Sequence, residues 1–226
     1  MRIRPLLSLV PFSLLPAQDV PLGVEAVTTF RSDYLFRGFH LAQQTLEFQI
    51  ATEIAFGKDQ TLGLGLFDLS EGSGSFRQSG LYLDWGHTLS ENLQASLSLT
   101  AQAFQDSALE SGTELGLTLD YTFTEDWSAE TMLFWDLRSA GLYGASELSY
   151  SNVLSPKSFF SAAGGISYTA SYFDRSGLND VFARASYTYG LTDSLAWTPF
   201  LGLSVPLTEE RTQSRLFFGL NLEVFF

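Results

Sequence analysis

The chain has 226 residues, the size of a single β domain, with a formal net charge of −13, 16% charged residues, 15% aromatic residues and no cysteine. So acidic a balance argues against a nucleic-acid-binding surface, and no disulfide framework is possible. Beyond the first residues no apolar run approaches the roughly 18 needed for a spanning helix, so any membrane crossing must be made by strands.

The start of the chain reads as an export signal. Arg2 and Arg4 give a basic beginning, Leu6 to Leu15 is a short apolar run, and Ala17 offers a small residue for cleavage. Pro11 and Pro16 spoil a spanning helix there, and Leu15 stands where a small residue is preferred. The expected division is a signal peptide over 1–18 and one β domain over 19–226. The alternative for the start is a disordered or tail-anchoring segment.

From Gly23 onward apolar and polar residues alternate, with no helical stripe. The first predicted strand, 23–36, puts Val24, Ala26, Thr28, Phe30 and Tyr34 on one face and Glu25, Thr29, Arg31 and Asp33 on the other. The second, 45–56, sets Leu46, Phe48, Ile50, Ile54 and Phe56 against Glu47, Gln49 and Glu53. Strands over 61–69 and 79–89 carry Leu62, Leu64, Leu66, Leu81, Leu83 and Trp85 opposite Gly63, Gly65, Tyr82 and Asp84. The cleanest pair, 93–104 and 113–123, sets leucines such as Leu97, Leu99, Leu115 and Leu117 against Gln94, Ser96, Glu114 and Asp120. Next come 127–138, with Glu130, Asp136 and Arg138 on its polar face, and 143–153, with Glu147. The strand over 159–172 offers Phe160, Ile166, Tyr168 and Tyr172 as its apolar set; 181–190 carries Arg184 on its polar side, and 195–205 carries Trp197, Leu201 and Leu203. The last strand, 214–226, has Leu216, Phe218, Leu220, Leu222, Val224 and Phe226 on one face and Arg215, Asn221 and Glu223 on the other.

These make about twelve strands, with ten or fourteen as the alternatives, and about 10–12 residues in each suits a tilted membrane crossing. Short connections near 57–60, 90–92, 125–126, 155–158 and 192–194 alternate with longer ones near 37–44, 70–78, 105–112, 139–143, 174–180 and 206–213. Short turns at one end and long loops at the other is the pattern of an up-and-down transmembrane barrel. An even strand count leaves both termini at the short-turn end. Phe56, Trp85, Phe123, Trp127, Phe160, Tyr189 and Trp197 fall beside short turns on the apolar face, where a membrane-interface girdle belongs. The expected fold is all-β: a single antiparallel transmembrane β-barrel over 19–226.

The closing strand, ending on Phe226, resembles the C-terminal signal strand of bacterial outer-membrane barrels, which implies recognition of 214–226 by the barrel assembly machinery. Ser32-Asp33-Tyr34-Leu35-Phe36-Arg37-Gly38 resembles the SDYxFRG signature of the TorF-type porin family. That resemblance implies an exported outer-membrane porin of about this length, although the chain departs from the family pattern at Phe39-His40-Leu41 and around 64–74. From their own chemistry, Asp33 and Arg37 can pair or line a mouth, and Gly38 permits a tight start to the loop.

Alternation does not say which face looks inward. A soluble, lipocalin-like carrier would put the apolar set inside; a membrane barrel puts it outside. The polar face, rich in Gly, Ser, Thr, Gln and carboxylates and almost free of lysine, favours the second arrangement. The candidate pore-lining residues are then Glu25, Arg31, Asp33, Glu47, Glu53, Glu114, Asp120, Glu130, Asp136, Arg138, Glu147, Arg184, Arg215 and Glu223. Such a lumen, with Asp84 added to its acids, would favour cations if open, or hold itself shut through an acid–arginine network. The expected partners are outer-membrane lipid and small solutes, with no cofactor and no metal cluster.

Two other functions stay open. One is a closed, adhesin-like barrel acting through its loops. The other is a barrel-embedded lipid enzyme, in which His40 would work with Asp33, Asp106 or Ser70; His87 reads as an interface residue. Since the loops are short for a folded-in constriction, any gate is expected to come from side chains of the wall.

Overall fold

Alternating strands of this kind leave half their side chains unsatisfied unless the sheet closes, and it does. The structure, a computed structural model, describes residues 23–56, 58–208 and 213–226; the expected signal segment lies outside them. Every element among the described residues is a strand. They are β1 (Gly23–Phe36), β2 (Phe39–Phe56), β3 (Gln60–Glu71), β4 (Arg77–Ser90), β5 (Leu93–Gln105), β6 (Gly112–Thr122), β7 (Trp127–Asp136), β8 (Leu142–Ser155), β9 (Ser158–Tyr172), β10 (Arg175–Gly190), β11 (Leu195–Pro206) and β12 (Arg215–Phe225). Each pairs antiparallel with its neighbours in sequence, and β12 returns to β1 to close the barrel.

The apolar set faces outward. Leu97, Leu117 and Leu133 stand side by side across β5, β6 and β7 and are 49%, 38% and 41% exposed, whereas Glu114 is 1% exposed on the inside. Phe218 is 58% exposed on β12, while Asn221 and Glu223 of the same strand are buried in the interior. A globular β-sandwich or lipocalin-like carrier would show the opposite arrangement, so the inside-out wall of a membrane barrel is the fold. Phe56, Trp85, Phe123, Trp127, Tyr189 and Trp197 are all exposed beside the turns at the end that holds both termini; Phe160 is only half-exposed. His87 stacks on Trp85 on this outer belt, with ring centroids 5.9 Å apart.

The long-loop end differs from expectation. The segments 37–44 and 174–180 are not loops. β2 begins at Phe39 and β10 at Arg175, so Arg37–Gly38 and Phe173–Asp174 are tight hairpin turns on long strands. Arg37, Gly38, Phe173 and Asp174 all have positive φ (49°, 78°, 45° and 66°), as primed hairpin turns require. Arg37-Gly38 carries the glycine such a turn favours, but Phe173-Asp174 carries no turn signal, and the charged residues around it read as loop. The connections over 72–76, 106–111 and 137–141 do remain loops at this end.

Bulges also break the alternation. Ser171 has φ of 52°, and the slip there carries Tyr172 to the interior, where it is fully buried rather than lipid-facing. β1 and β2 shift register at Tyr34/Leu35, and Tyr34 turns inward to give its hydroxyl to Gln78 Oε1 at 2.7 Å. A third shift, between Leu178 and Val181, brings the successive residues Asn179 and Asp180 both inside.

The outward belt carries a direct test. Leu117→Arg, in the middle of the wall, should lower the unfolding free energy in lipid vesicles by about 2–4 kcal/mol. Leu207→Arg, outside the strands, should change it by less than about 1 kcal/mol in the same urea titration.

Candidate functional site

The interior holds a cavity of about 390 Å³. Of the candidate pore-lining residues, Arg31, Asp33, Glu47, Glu53, Glu114, Glu147 and Arg184 line it. Glu25, Glu130 and Glu223 are buried on the interior side of the wall without lining the cavity, and Asp120 lies beside Glu130 across β6 and β7. Three positions behave differently. Asp136 is fully buried, and its Oδ1 accepts the Ser139 amide at 2.6 Å, closing the β7–β8 loop. Arg138 lies past the end of β7, exposed, with Nε 2.7 Å from Glu110 Oε2; it is a loop residue and not part of the lumen. Arg215 stands at the rim, 3.7 Å from Asp33.

The register sorts the acids into patches. Glu53 and Asp84 flank Gly63, which has no side chain to separate them. Asp120, Glu130 and Glu147 stand directly opposite one another along β6, β7 and β8, and Arg184 of β10 interacts electrostatically with both glutamates. Arg31 pairs with Glu47 on the adjacent strand. Like charges set directly opposite in a sheet repel, so these patches are relieved by water, a cation or a proton shared between neighbouring carboxyls.

The other half of the lumen is aromatic. Tyr34, Phe36, Phe67, Tyr82, Phe134, Tyr143 and Phe182 also line the cavity. At the far end from the termini, Phe39, Leu109, Phe134, Tyr143, Ala145 and Tyr172 form a buried apolar cluster inside the barrel. This cluster exists because the tip of the β1–β2 hairpin has left the wall. The pairing of β1 with β12 stops at Arg31–Gly219, although β12 continues along β11 as far as Arg215. The Phe218 amide that loses its strand partner donates instead to Ser32 Oγ at 3.1 Å. Past that point the successive residues Asp33 to Gly38 all line the lumen.

Arg37 carries the tip to the opposite wall. Its guanidinium pairs with Glu114 of β6 and lies 2.6 Å from the hydroxyl of Tyr172 on β9. It stacks over the Phe134 ring of β7 at 4.0 Å. Asn179 Nδ2 donates to the Arg37 carbonyl at 3.2 Å, and the Arg175 guanidinium lies 3.6 Å from the centre of the Phe39 ring. Burial alone would weaken the charge on Arg37, but Glu114 and Tyr172 outweigh it, and the proton is held more tightly than on an ordinary arginine. Against the expectation that any constriction would come from wall side chains, it is the tip of the β1–β2 hairpin that folds into the mouth and reaches the opposite wall.

This explains the 32–38 stretch residue by residue. Ser32 caps the open end of β12, Tyr34 anchors to Gln78, Arg37 is the bolt, and Gly38 takes a φ of 78° at the turn. Asp33 does not pair with Arg37; His40 Nε2 lies 3.1 Å from its Oδ1. Ser32 Oγ also lies 3.4 Å from Asp33, so hydroxyl and imidazole both sit on the carboxylate. A nucleophile–base relay needs the hydroxyl on the imidazole instead. Tyr172, Asn179, Asp180 and Arg175 belong to the site and are absent from the sequence-derived set: periodicity puts Tyr172 on the lipid face of its strand, and the other three fall in 174–180, a stretch that reads as a loop.

No protein-family model matches the chain, and no curated protein matches its sequence. Solved structures do match in shape. An outer membrane channel from Pseudomonas putida F1 superposes with a TM-score of 0.60 at 14% identity, covering 96% of this chain and 100% of that one. The KdgM porin gives 0.58 at 7% identity, over 90% and 99% of the two chains. The NanC porin gives 0.57 at 9% identity, over 89% and 98%. At these identities the likeness is one of fold: a closed, twelve-stranded, up-and-down antiparallel barrel like those of these porins. The resemblance to TorF-type porins stands on residues 32–38 alone.

Removing one partner of the buried Arg37–Glu114 pair strands the other charge. Arg37→Met and Glu114→Leu should each lower the unfolding free energy by about 3–5 kcal/mol, and the double variant Arg37→Met/Glu114→Leu by less than either. Urea unfolding in vesicles reads this cycle.

Proposed function

We propose that the protein is an outer-membrane channel for passive diffusion of small solutes, with a preference for cations, and that it rests with its mouth shut by the β1–β2 hairpin. The observation that carries this reading is a lipid-facing barrel around a cavity lined by opposed carboxylates, Glu53 and Asp84 on one side and Glu147 on the other. A wet passage with fixed negative charge concentrates cations and repels anions. On this reading 1–18 is an export signal, 214–226 is read by the barrel assembly machinery, and the end bearing the termini faces the periplasm. The plugged end then faces outward. The interior of Asp33, His40 and Ser32 supports a structural network and not catalysis, so the protein is proposed not to be an enzyme.

The tight closure at the mouth gives specific support to one refinement: the resting state conducts little. Planar-bilayer recordings of the purified barrel under a potassium chloride gradient should show rare openings in the wild type and frequent ones in Arg37→Ala, with reversal potentials on the cation side of zero. Glu53→Gln/Asp84→Asn in that background should shift the reversal potential toward zero. Silence from both the wild type and Arg37→Ala would favour a closed, adhesin-like barrel acting through its loops.

A further inference from the structure

The Arg37 guanidinium sits in a built receptor. Its carbon lies 4.0 Å from the centre of the Phe134 ring, 5.3 Å from Tyr143 and 5.5 Å from Tyr172. Glu114 supplies the countercharge, and Tyr172 Oη donates to the same carboxylate oxygen at 2.7 Å. These four groups come from four successive strands of the fixed wall, β6 to β9, while the cation comes from the hairpin across the mouth. The receptor does not need the hairpin to exist: Glu114, Phe134 and Tyr143 line the cavity from their own strands.

The chemistry of the box specifies its occupant. Aromatic faces attract a cation through the ring quadrupole, most strongly when the cation is flat and weakly hydrated, as a guanidinium is. One carboxylate and one hydroxyl then satisfy part of its donor fork. A divalent metal would demand six or so oxygen ligands, and a box with a single carboxylate does not provide them.

We propose that the Glu114–Phe134–Tyr143–Tyr172 box is a binding site for guanidinium-bearing solutes, which Arg37 fills from within the chain when the channel rests. A solute guanidinium competes with Arg37 for the box, frees the hairpin tip and opens the mouth. The proposal rests on the channel reading above. Because Arg37 is tethered, its effective concentration at the box is of the order of millimolar or higher, and a free competitor has to match that.

The test uses the full-length purified protein with guanidinium chloride at about 10 mM, far below the molar range in which it denatures. Sodium chloride at equal ionic strength is the control. In bilayers, guanidinium should raise the open probability of the wild type about tenfold while sodium leaves it unchanged. Arg37→Ala should already be open and should not respond further. If Arg37→Ala opens but guanidinium leaves the wild type unchanged, the hairpin is a gate and the box is not a receptor, and the proposal is overturned with the channel intact.

A second measurement separates the box from conduction. In detergent, guanidinium should raise the thermal unfolding temperature of Arg37→Ala and not that of Arg37→Ala/Glu114→Gln. An equal shift in both, or none in either, overturns the site even if no variant conducts. If Arg37→Ala fails to fold, judged by heat-modifiable migration, Phe134→Leu takes its place in the bilayer: it should lose at least half of the guanidinium response, and an unchanged response overturns the proposal.

Discussion

The seam where β12 meets β1 determines the rest of the molecule. A sheet in lipid has no water to satisfy an open edge, so the last strand must hydrogen-bond to the first. The register from Glu25–Phe225 to Arg31–Gly219 does this and fixes which residues face lipid. It also stops early. β12 runs on beside β11 while β1 is released, and the released hairpin folds its tip into the interior of its own barrel, where Glu114 receives Arg37 and an aromatic cluster receives Phe39. Closure of the wall and closure of the mouth thus follow from the two ends of one seam.

Leaving the wall has costs, and each has a visible counterpart. The exposed Phe218 amide is satisfied by a serine hydroxyl, in place of the lost ladder bond. The tip carbonyls are met by side chains: Asn179 on Arg37, and Arg175 on Gly38 at 3.4 Å. The bulge in β10 supplies the first of these by turning two successive residues inward, which an unbroken strand cannot do. Bulges at a barrel rim re-aim side chains, and here they build a socket. The aromatic cluster around Phe39 replaces the apolar contacts the tip would have made with lipid.

Sequence periodicity made most of the wall legible. Leu97, Leu117 and Leu133 could be placed on the lipid side, and Glu114 and Glu223 on the inside, because period two is conserved wherever pairing is regular. It failed at Tyr34 and Tyr172 for one physical reason: a bulge moves every later residue to the other face, and nothing in the local composition marks it. The hairpin at Arg37-Gly38 carried its glycine signal but was read as the start of a long loop, since Phe39-His40-Leu41 continues a strand without clean alternation. For Arg37 the sequence leaves two readings, a pair with Asp33 or a place at the mouth, and the second is the one the structure shows. The partner of Arg37, Glu114, is 77 positions away, and only the barrel's curvature brings them together.

The two halves of the lumen set up the energetics of the plug. Below it, Asp120, Glu130 and Glu147 stand in one row with Arg184 acting on both glutamates, and their repulsion is relieved by that cation together with solvent or a proton shared between carboxyls. Above it, the Arg37–Glu114 pair is dry, and desolvation takes back much of what the attraction gives. A dry pair of this kind contributes more specificity than strength. It decides where the tip docks without making docking irreversible, since rehydrating both ions on opening recovers the energy spent in burying them. On the channel reading proposed above, a charged tip that water can receive is easier to release than a purely apolar tip of the same area, which has nothing to regain from water.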